Sequence, residues 1–190
     1  AGEIKEEPAM LWDGDGIYRR YLQTENGVSP LATPPKKGQA IKTDSYMHDQ
    51  QGITSEDSVI SREMSHKRQT KGQSLAREME NYETVKVYGL PSAGSALLCW
   101  GSNKGVCLEA AERLGMRAVQ VILLSPFPKR RLKEALQGVK RLLAVECNST
   151  GQLADLSRSH GIVVDDRILK YGGRPFSLEG LMEKLGGAGI

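Results

Sequence analysis

The sequence predicts an α/β fold: a Rossmann-like, mostly parallel sheet with helices on both faces, preceded by an irregular arm and a long polar helix. Two observations carry this prediction. Apolar residues number 29 in the first 90 positions and 45 in the last 100, so the core-forming material is concentrated after about Tyr88. In that second half short β-rich runs alternate with helical stretches. Strand–helix–strand repetition with crossovers of about 10–13 residues is how a parallel sheet is built.

The elements follow in chain order. Up to about Lys37, Pro8, Pro30, Pro34 and Pro35, with glycines at 14, 16 and 27, forbid a long helix and leave loops and short strands. Residues 17–24 (IYRRYLQT) read as a strand ended by the turn pair Asn26-Gly27, and residues 38–46 as a second extended segment. Between Thr54 and Met79 there is no proline, and apolar residues at 59, 60, 64, 75 and 79 approach the 3.6-residue period at each end. A single long helix is expected there, capped by Thr54 or Ser55, with Glu56 and Asp57 against the positive end of its dipole and Gly72 as a weak point. Its apolar stripe is so narrow that it must lean on the following domain or on another subunit.

From Thr84 the pattern changes. Strands are expected over 84–88, 95–100, 117–124, 141–146 and 162–169, and helices over 102–114, 129–137 and 152–159. The runs SALLCW, VQVILL and LLAVEC are apolar enough for strands buried on both faces, and Gly115, Gly138 and Gly161 fall where helices should end. The chain thus divides into an arm with its helix, residues 1–83, and an α/β domain, residues 84–190.

Composition excludes several functions. A net charge of +3, from 26 Lys and Arg against 23 Asp and Glu, creates no field that would by itself favour nucleic acid or an anionic membrane. The longest apolar stretch, residues 118–124, is about a third of the ~20 residues a membrane-spanning helix needs. The N-terminus AGEIKEEPAM has no secretory pattern, and a soluble, cytoplasmic protein is expected. Cys99, Cys107 and Cys147 include no C-x-x-C pair, which argues against a disulfide framework, a zinc site or a self-contained iron–sulfur cluster, and reads as buried, reduced thiols.

The segment Cys99-Trp100-Gly101-Ser102-Asn103-Lys104-Gly105 follows a buried strand and opens a helix, where free backbone N–H groups bind anions. It is neither a P-loop nor a complete dinucleotide fingerprint. Ser102, Asn103, Lys104 and Gly105 are therefore a weak anion-site candidate, set against a tight βα turn in which Ser102 or Asn103 caps the helix. Lys129, Arg130, Arg131 and Lys133 crowd the start of a short helix, an unfavourable place for cations. They form either a solvated face or a contact for an acidic subunit surface or a phosphate. His48, His66 and His160 lack metal-ligand spacing, and no Ser or Cys stands in a nucleophile motif. The residues alone name no catalytic, cofactor-binding or metal site.

Several stretches together resemble one family, the α subunits of 2-oxoacid:ferredoxin oxidoreductases of the 2-oxoglutarate or pyruvate type. In order they are Tyr18-Arg19-Arg20-Tyr21 with Gly27-Val28-Ser29-Pro30, His48-Asp49 with Gly52-Ile53, Lys67-Arg68, Trp100-Gly101-Ser102-Asn103-Lys104-Gly105, Pro126-Phe127-Pro128, Glu146-Cys147-Asn148-Ser149-Thr150-Gly151-Gln152-Leu153, and Arg167-Ile168-Leu169-Lys170-Tyr171-Gly172-Gly173-Arg174-Pro175-Phe176. The departures are Met47 and Gln50 around His48-Asp49, where the family tends to be acidic, and Asn103 where Thr is usual. The resemblance implies the C-terminal part of such a subunit, including a domain like the last domain of transketolase, which builds subunit contacts. It also implies, for the complete enzyme, thiamine diphosphate, Mg²⁺ and iron–sulfur clusters held elsewhere, with coenzyme A and ferredoxin as reactants. The remaining α-subunit domains and the β subunit would be this chain's partners, and the chain would be inactive alone. The alternative is a free-standing Rossmann-like module that binds a phosphorylated ligand at Ser102–Gly105.

Overall fold

The three apolar runs of the second half become adjacent strands in the middle of a five-stranded sheet. The computed structural model describes residues 9–14, 16–33 and 40–190, and the chain divides into two units, Ala1–Glu78 and Met79–Ile190.

In the second unit the strands are β1 (Val85–Gly89), β2 (Ser95–Trp100), β3 (Arg117–Val121), β4 (Arg141–Glu146) and β5 (Asp166–Leu169), in the order β1-β3-β2-β4-β5. Pairings β2–β3, β2–β4 and β4–β5 are parallel, and β1 alone runs antiparallel, with Val85 opposite Val121 and Gly89 opposite Arg117. Each parallel step needs a crossover, and these carry α2 (Lys104–Leu114), α3 (Lys129–Ala135) and α4 (Gln152–Ser159), with α5 (Leu178–Gly187) after the last strand.

Alternation along the strands builds two cores. Leu97, Cys99, Leu143 and Val145 pack with Cys107, Ala110 and Ala111 of α2 and with Leu181 and Leu185 of α5. Ala96, Leu98, Leu142 and Ala144 point the other way, onto Leu132 of α3 and Leu153 and Ala154 of α4. Both faces are covered, so β2 and β4 read as continuous apolar text rather than as alternation. Each fully buried leucine contributes about 1.5–3 kcal/mol relative to exposure.

Arg117, at the start of β3, is buried. Its Nη1 donates to the carbonyls of Ala135 (2.6 Å) and Gln137 (3.1 Å), and its Nη2 donates to that of Pro91. A cation at the carbonyl end of α3 is favourably placed with respect to the helix dipole.

In the first unit the only regular element among the described residues is α1 (Ser58–Met79), in which Met64 is the buried residue. Asp57 caps it, its Oδ1 accepting from Val59 N (2.8 Å) and Ile60 N (3.0 Å). Thr54 and Ser55, expected as caps, lie outside it: Thr54 pairs with His48 in an isolated bridge and Ser55 Oγ accepts from Asp57 N. Gly72 does not interrupt the helix. Residues 17–24 are not the expected strand, because their polar groups are drawn into irregular contacts. The Tyr18 hydroxyl donates to Pro30 O and accepts from Ala32 N, Tyr21 N donates to Gln50 O, and Ser29 Oγ donates to Leu22 O. Of the second expected segment, residues 38–39 lie outside the described residues and 40–46 form no strand.

The strand expected over 117–124 ends at Val121, and the one expected from 162 begins at Asp166. Cys99 and Cys107 are buried, but Cys147 is exposed just beyond β4, contrary to the expectation of three buried thiols. The hydrogen bond with Cys99, together with burial, pushes the Cys107 thiol far up. None of the helices among the described residues is long and apolar enough to cross a membrane.

Candidate functional site

In an open parallel sheet, ligands bind beyond the carboxyl ends of the strands where successive crossovers leave in opposite directions. Here that point lies between β2 and β4. The chain goes from β2 to β3 on one side, then passes back over β2 to reach β4 on the other. Residues 101–104 after β2, 147–151 after β4 and 170–176 after β5 gather at this edge. A cavity of about 420 Å³ opens among them, lined by Ser102, Cys147, Lys170, Tyr171, Arg174 and Pro175.

The loop after β4 uses its polar groups internally. Glu146 is completely buried. Its Oε2 accepts from Leu153 N (2.8 Å) and Asn148 Nδ2 (2.8 Å), and its Oε1 from Ala154 N (3.0 Å). Asn148 Oδ1 accepts from the N–H groups of Thr150 (3.2 Å), Gly151 (2.6 Å) and Gln152 (3.2 Å). Two side chains thus take up five successive backbone donors at the start of α4, which an anion would otherwise have met. Gly151 sits at φ +77°, and a Cβ there would stand 2.8 Å from Arg167 Cδ. That close approach lets Arg167 reach Thr150 O (2.5 Å) and Asp155. The Arg167 guanidinium holds the Asp155 carboxyl below the usual carboxylate range, and Asp155 in turn raises Arg167.

The loop after β2 is used the same way. Asn103 is buried, donating from Nδ2 to Val145 O (3.3 Å) and accepting at Oδ1 from Cys147 Sγ (3.0 Å). It therefore makes no side-chain cap on α2, which instead follows a single 3₁₀ turn over Gly101–Asn103. Lys104 Nζ lies 5.3 Å from the centre of the Tyr88 ring. Of the four anion-site candidates only Ser102 lines the cavity, while Asn103 and Lys104 have partners within the chain and Gly105 is exposed with open space around it. The cations that do line it, Lys170 and Arg174, come from the stretch after β5.

The two arginines of the basic cluster at α3 are also partnered. Arg130 pairs with Glu80 and with Glu134 (2.6 Å), and Arg131 donates to Glu80 O (3.0 Å). These contacts lie on an exposed face, as the solvated-face reading has it, and Glu80 of the same chain is the acidic neighbour.

Comparison with known proteins matches this arrangement to one set of relatives. No protein-family model matches the chain. The 2-oxoacid:ferredoxin oxidoreductase 2 α subunit of Aeropyrum pernix is 38% identical over 178 residues, covering 88% of this chain and 27% of the relative. The 2-oxoacid:ferredoxin oxidoreductase 1 α subunit of Sulfurisphaera tokodaii is 32% identical over 183 residues, covering 95% of this chain and 29% of the relative. This chain is a homologue of part of the 2-oxoacid:ferredoxin oxidoreductase α subunit. It spans between 27% and 29% of the length of these curated relatives. A structure of 2-oxoglutarate:ferredoxin oxidoreductase from Magnetococcus marinus, with 2-oxoglutarate, coenzyme A and succinyl-CoA bound, superposes with a TM-score of 0.76 at 27% identity, covering 93% of this chain and 32% of that one. The mostly parallel sheet with helices on both faces is thus the fold of an oxidoreductase α-subunit region.

Proposed function

We propose that this chain is the C-terminal part of the α subunit of a thiamine-diphosphate-dependent 2-oxoacid:ferredoxin oxidoreductase, which oxidatively decarboxylates a 2-oxoacid to an acyl-CoA and reduces ferredoxin. Within it, residues 84–190 act as the transketolase-C-terminal-like scaffold that holds neighbouring domains and subunits, and no residue of this chain performs a chemical step. One observation carries the reading: at the carboxyl edge of the sheet, where a free-standing α/β protein would bind its ligand, the backbone donors that open α4 are taken by Glu146 and Asn148, and Asn103 is held by Val145 and Cys147.

A diphosphate-bound magnesium ion needs oxygen ligands that converge on one point. Among the described residues no group of three or more His, Cys, Asp and Glu side chains is placed to hold a metal ion. On this reading thiamine diphosphate, magnesium and the iron–sulfur clusters belong to the rest of the enzyme, where cofactors carry the hard chemistry and protein supplies position. The partners are the remaining α-subunit domains and the β subunit, ferredoxin and coenzyme A are reactants of the assembly, and the assembly is cytoplasmic.

The test is reconstitution. By titration calorimetry the chain alone should show no heat with magnesium and thiamine diphosphate, and it should reduce no ferredoxin. Mixed with the remaining α-subunit region and the β subunit, it should co-elute with them and restore turnover. Thiamine diphosphate binding or turnover by this chain alone would overturn the reading, as would full activity of the other components without it.

A further inference from the structure

The first unit contains a second cavity, of about 380 Å³, whose lining includes four cations: Arg20, Lys67, Arg68 and Lys71. From its residues and their geometry we infer that this cavity is a binding site for a phosphate-bearing small molecule.

The chain works to bring these charges together. Lys67 and Lys71 are one turn apart on α1, and the turn at Gly27 is pressed onto that same stretch of helix. Gly27 sits at φ +76°, and a Cβ there would lie 2.5 Å from Lys71 N and 2.8 Å from Lys67 O, so only glycine permits this approach. The contact is fixed by Lys67 Nζ, which donates to Gly27 O at 3.0 Å. Arg20 arrives from the other side, its guanidinium carbon 5.2 Å from the centre of the Tyr21 ring. Tyr21 in turn stacks on buried His48 with centroids 3.7 Å apart.

Among the described residues no acidic side chain lines the cavity, and none of the four cations forms an ion pair. Arg68 makes do with the Met47 sulfur and the Ser65 hydroxyl, each at 3.3 Å. The nearest acid in sequence to His48, Asp49, spends its Oδ1 on the N–H groups of Gln51 (2.8 Å) and Ile53 (2.9 Å). The electrostatic consequence falls on Lys67, which is pushed below the ordinary lysine range by burial and then by the charges of Lys71, Arg20 and Arg68. Convergent cations that repel one another without an internal counter-ion are what a multiply charged anion relieves. The rest of the lining mixes apolar residues, Met10, Val28, Leu31 and Met64, with the neutral polar groups of Tyr21, Ser29 and His48. That combination fits a small ester with a phosphate or pyrophosphate head and an uncharged body, and the size is that of a small-molecule site.

The experiment is calorimetric titration of the full chain at low ionic strength with inorganic pyrophosphate, with coenzyme A, and with potassium chloride at matched ionic strength. Pyrophosphate should bind and chloride should not. The double variant Arg68→Gln/Lys71→Gln removes two exposed charges and should bind pyrophosphate at least about tenfold more weakly, the size expected for a lost charge-assisted contact. The charge-preserving Arg68→Lys/Lys71→Arg should retain binding. Tighter binding of coenzyme A than of pyrophosphate identifies a nucleotide ester as the occupant, and equal binding identifies the phosphate group alone. No pyrophosphate binding, or binding unchanged in the double Gln variant, overturns the site. The pyrophosphate arm does not depend on the oxidoreductase assembly, so its outcome and that of reconstitution are independent.

Discussion

Replacing Glu146 by Gln tests whether the buried carboxylate is an internal cap. The wild-type side chain accepts three hydrogen bonds, from Leu153 N, Ala154 N and Asn148 Nδ2. A glutamine has one acceptor oxygen. Placed at the Oε2 position it keeps two of the three, and its NH₂ then faces the Ala154 N–H. The variant loses one charge-assisted bond and leaves a buried donor unpaired, for about 2–3 kcal/mol. The unit from Met79 to Ile190 has about 110 residues, and at ~2.1 cal/mol/K per residue its unfolding entropy converts that cost into a fall in Tm of about 9–13 °C. Thermal and urea unfolding followed by circular dichroism would read it, with volume and fold unchanged. A loss below about 0.5 kcal/mol would mean that the carboxylate does not hold the start of α4, and the account of the saturated sheet edge would fail with it.

Other outcomes follow from the same geometry. Leu97→Ala, at a site with no exposure in the middle of the sheet, should cost about 2–5 kcal/mol in urea unfolding. A thiol-reactive probe should label Cys147 alone in the native chain, because Cys99 and Cys107 are buried; rapid labelling of all three would contradict the packing of β2 on α2. Arg130→Gln removes exposed ion pairs with Glu80 and Glu134 and should change stability by no more than about 1 kcal/mol. Asp155 has a folded pKa lowered chiefly by its hydrogen bond with Arg167. Its contribution is therefore present above its unfolded pKa of about 3.9 and is lost as pH falls through the lower folded value. In Arg167→Gln that part of the acid dependence between pH 5 and 2 should disappear.

Much of the sheet was legible because burial on both faces leaves a plain mark. SALLCW and LLAVEC could be little else than central strands, and Gly115 caps α2 at φ +63° as its position after the helical run foretold. The direction of β1 was not legible: five residues of mixed burial specify a strand without saying which way it pairs. Helix α5 was missed because its glycines, Gly180, Gly186 and Gly187, argue against a helix, and packing of Leu181 and Leu185 overrides them. The α1 cap was misplaced because Thr54, Ser55 and Asp57 are all competent caps, and only the backbone decides among them. At the sheet edge, Glu146 and Asn148 were visible as a motif, but their role as caps was hidden because the backbone donors Glu146 serves lie seven and eight positions further on. In the cationic cavity the spacing of Lys67, Arg68 and Lys71 shows in the text, while Arg20, some 47 residues earlier, joins them only through the fold.

Arg117 ties together pieces of chain that sequence keeps far apart. Its guanidinium reaches the segment between the first two strands through Pro91 and the end of α3 through Ala135 and Gln137. Neither piece can lift away without stranding a buried charge, which is costlier than any single bond it makes. The connection from β1 to β2 and the end of α3 are thereby tied to one side chain, and their amides should exchange with solvent in concert rather than piecemeal.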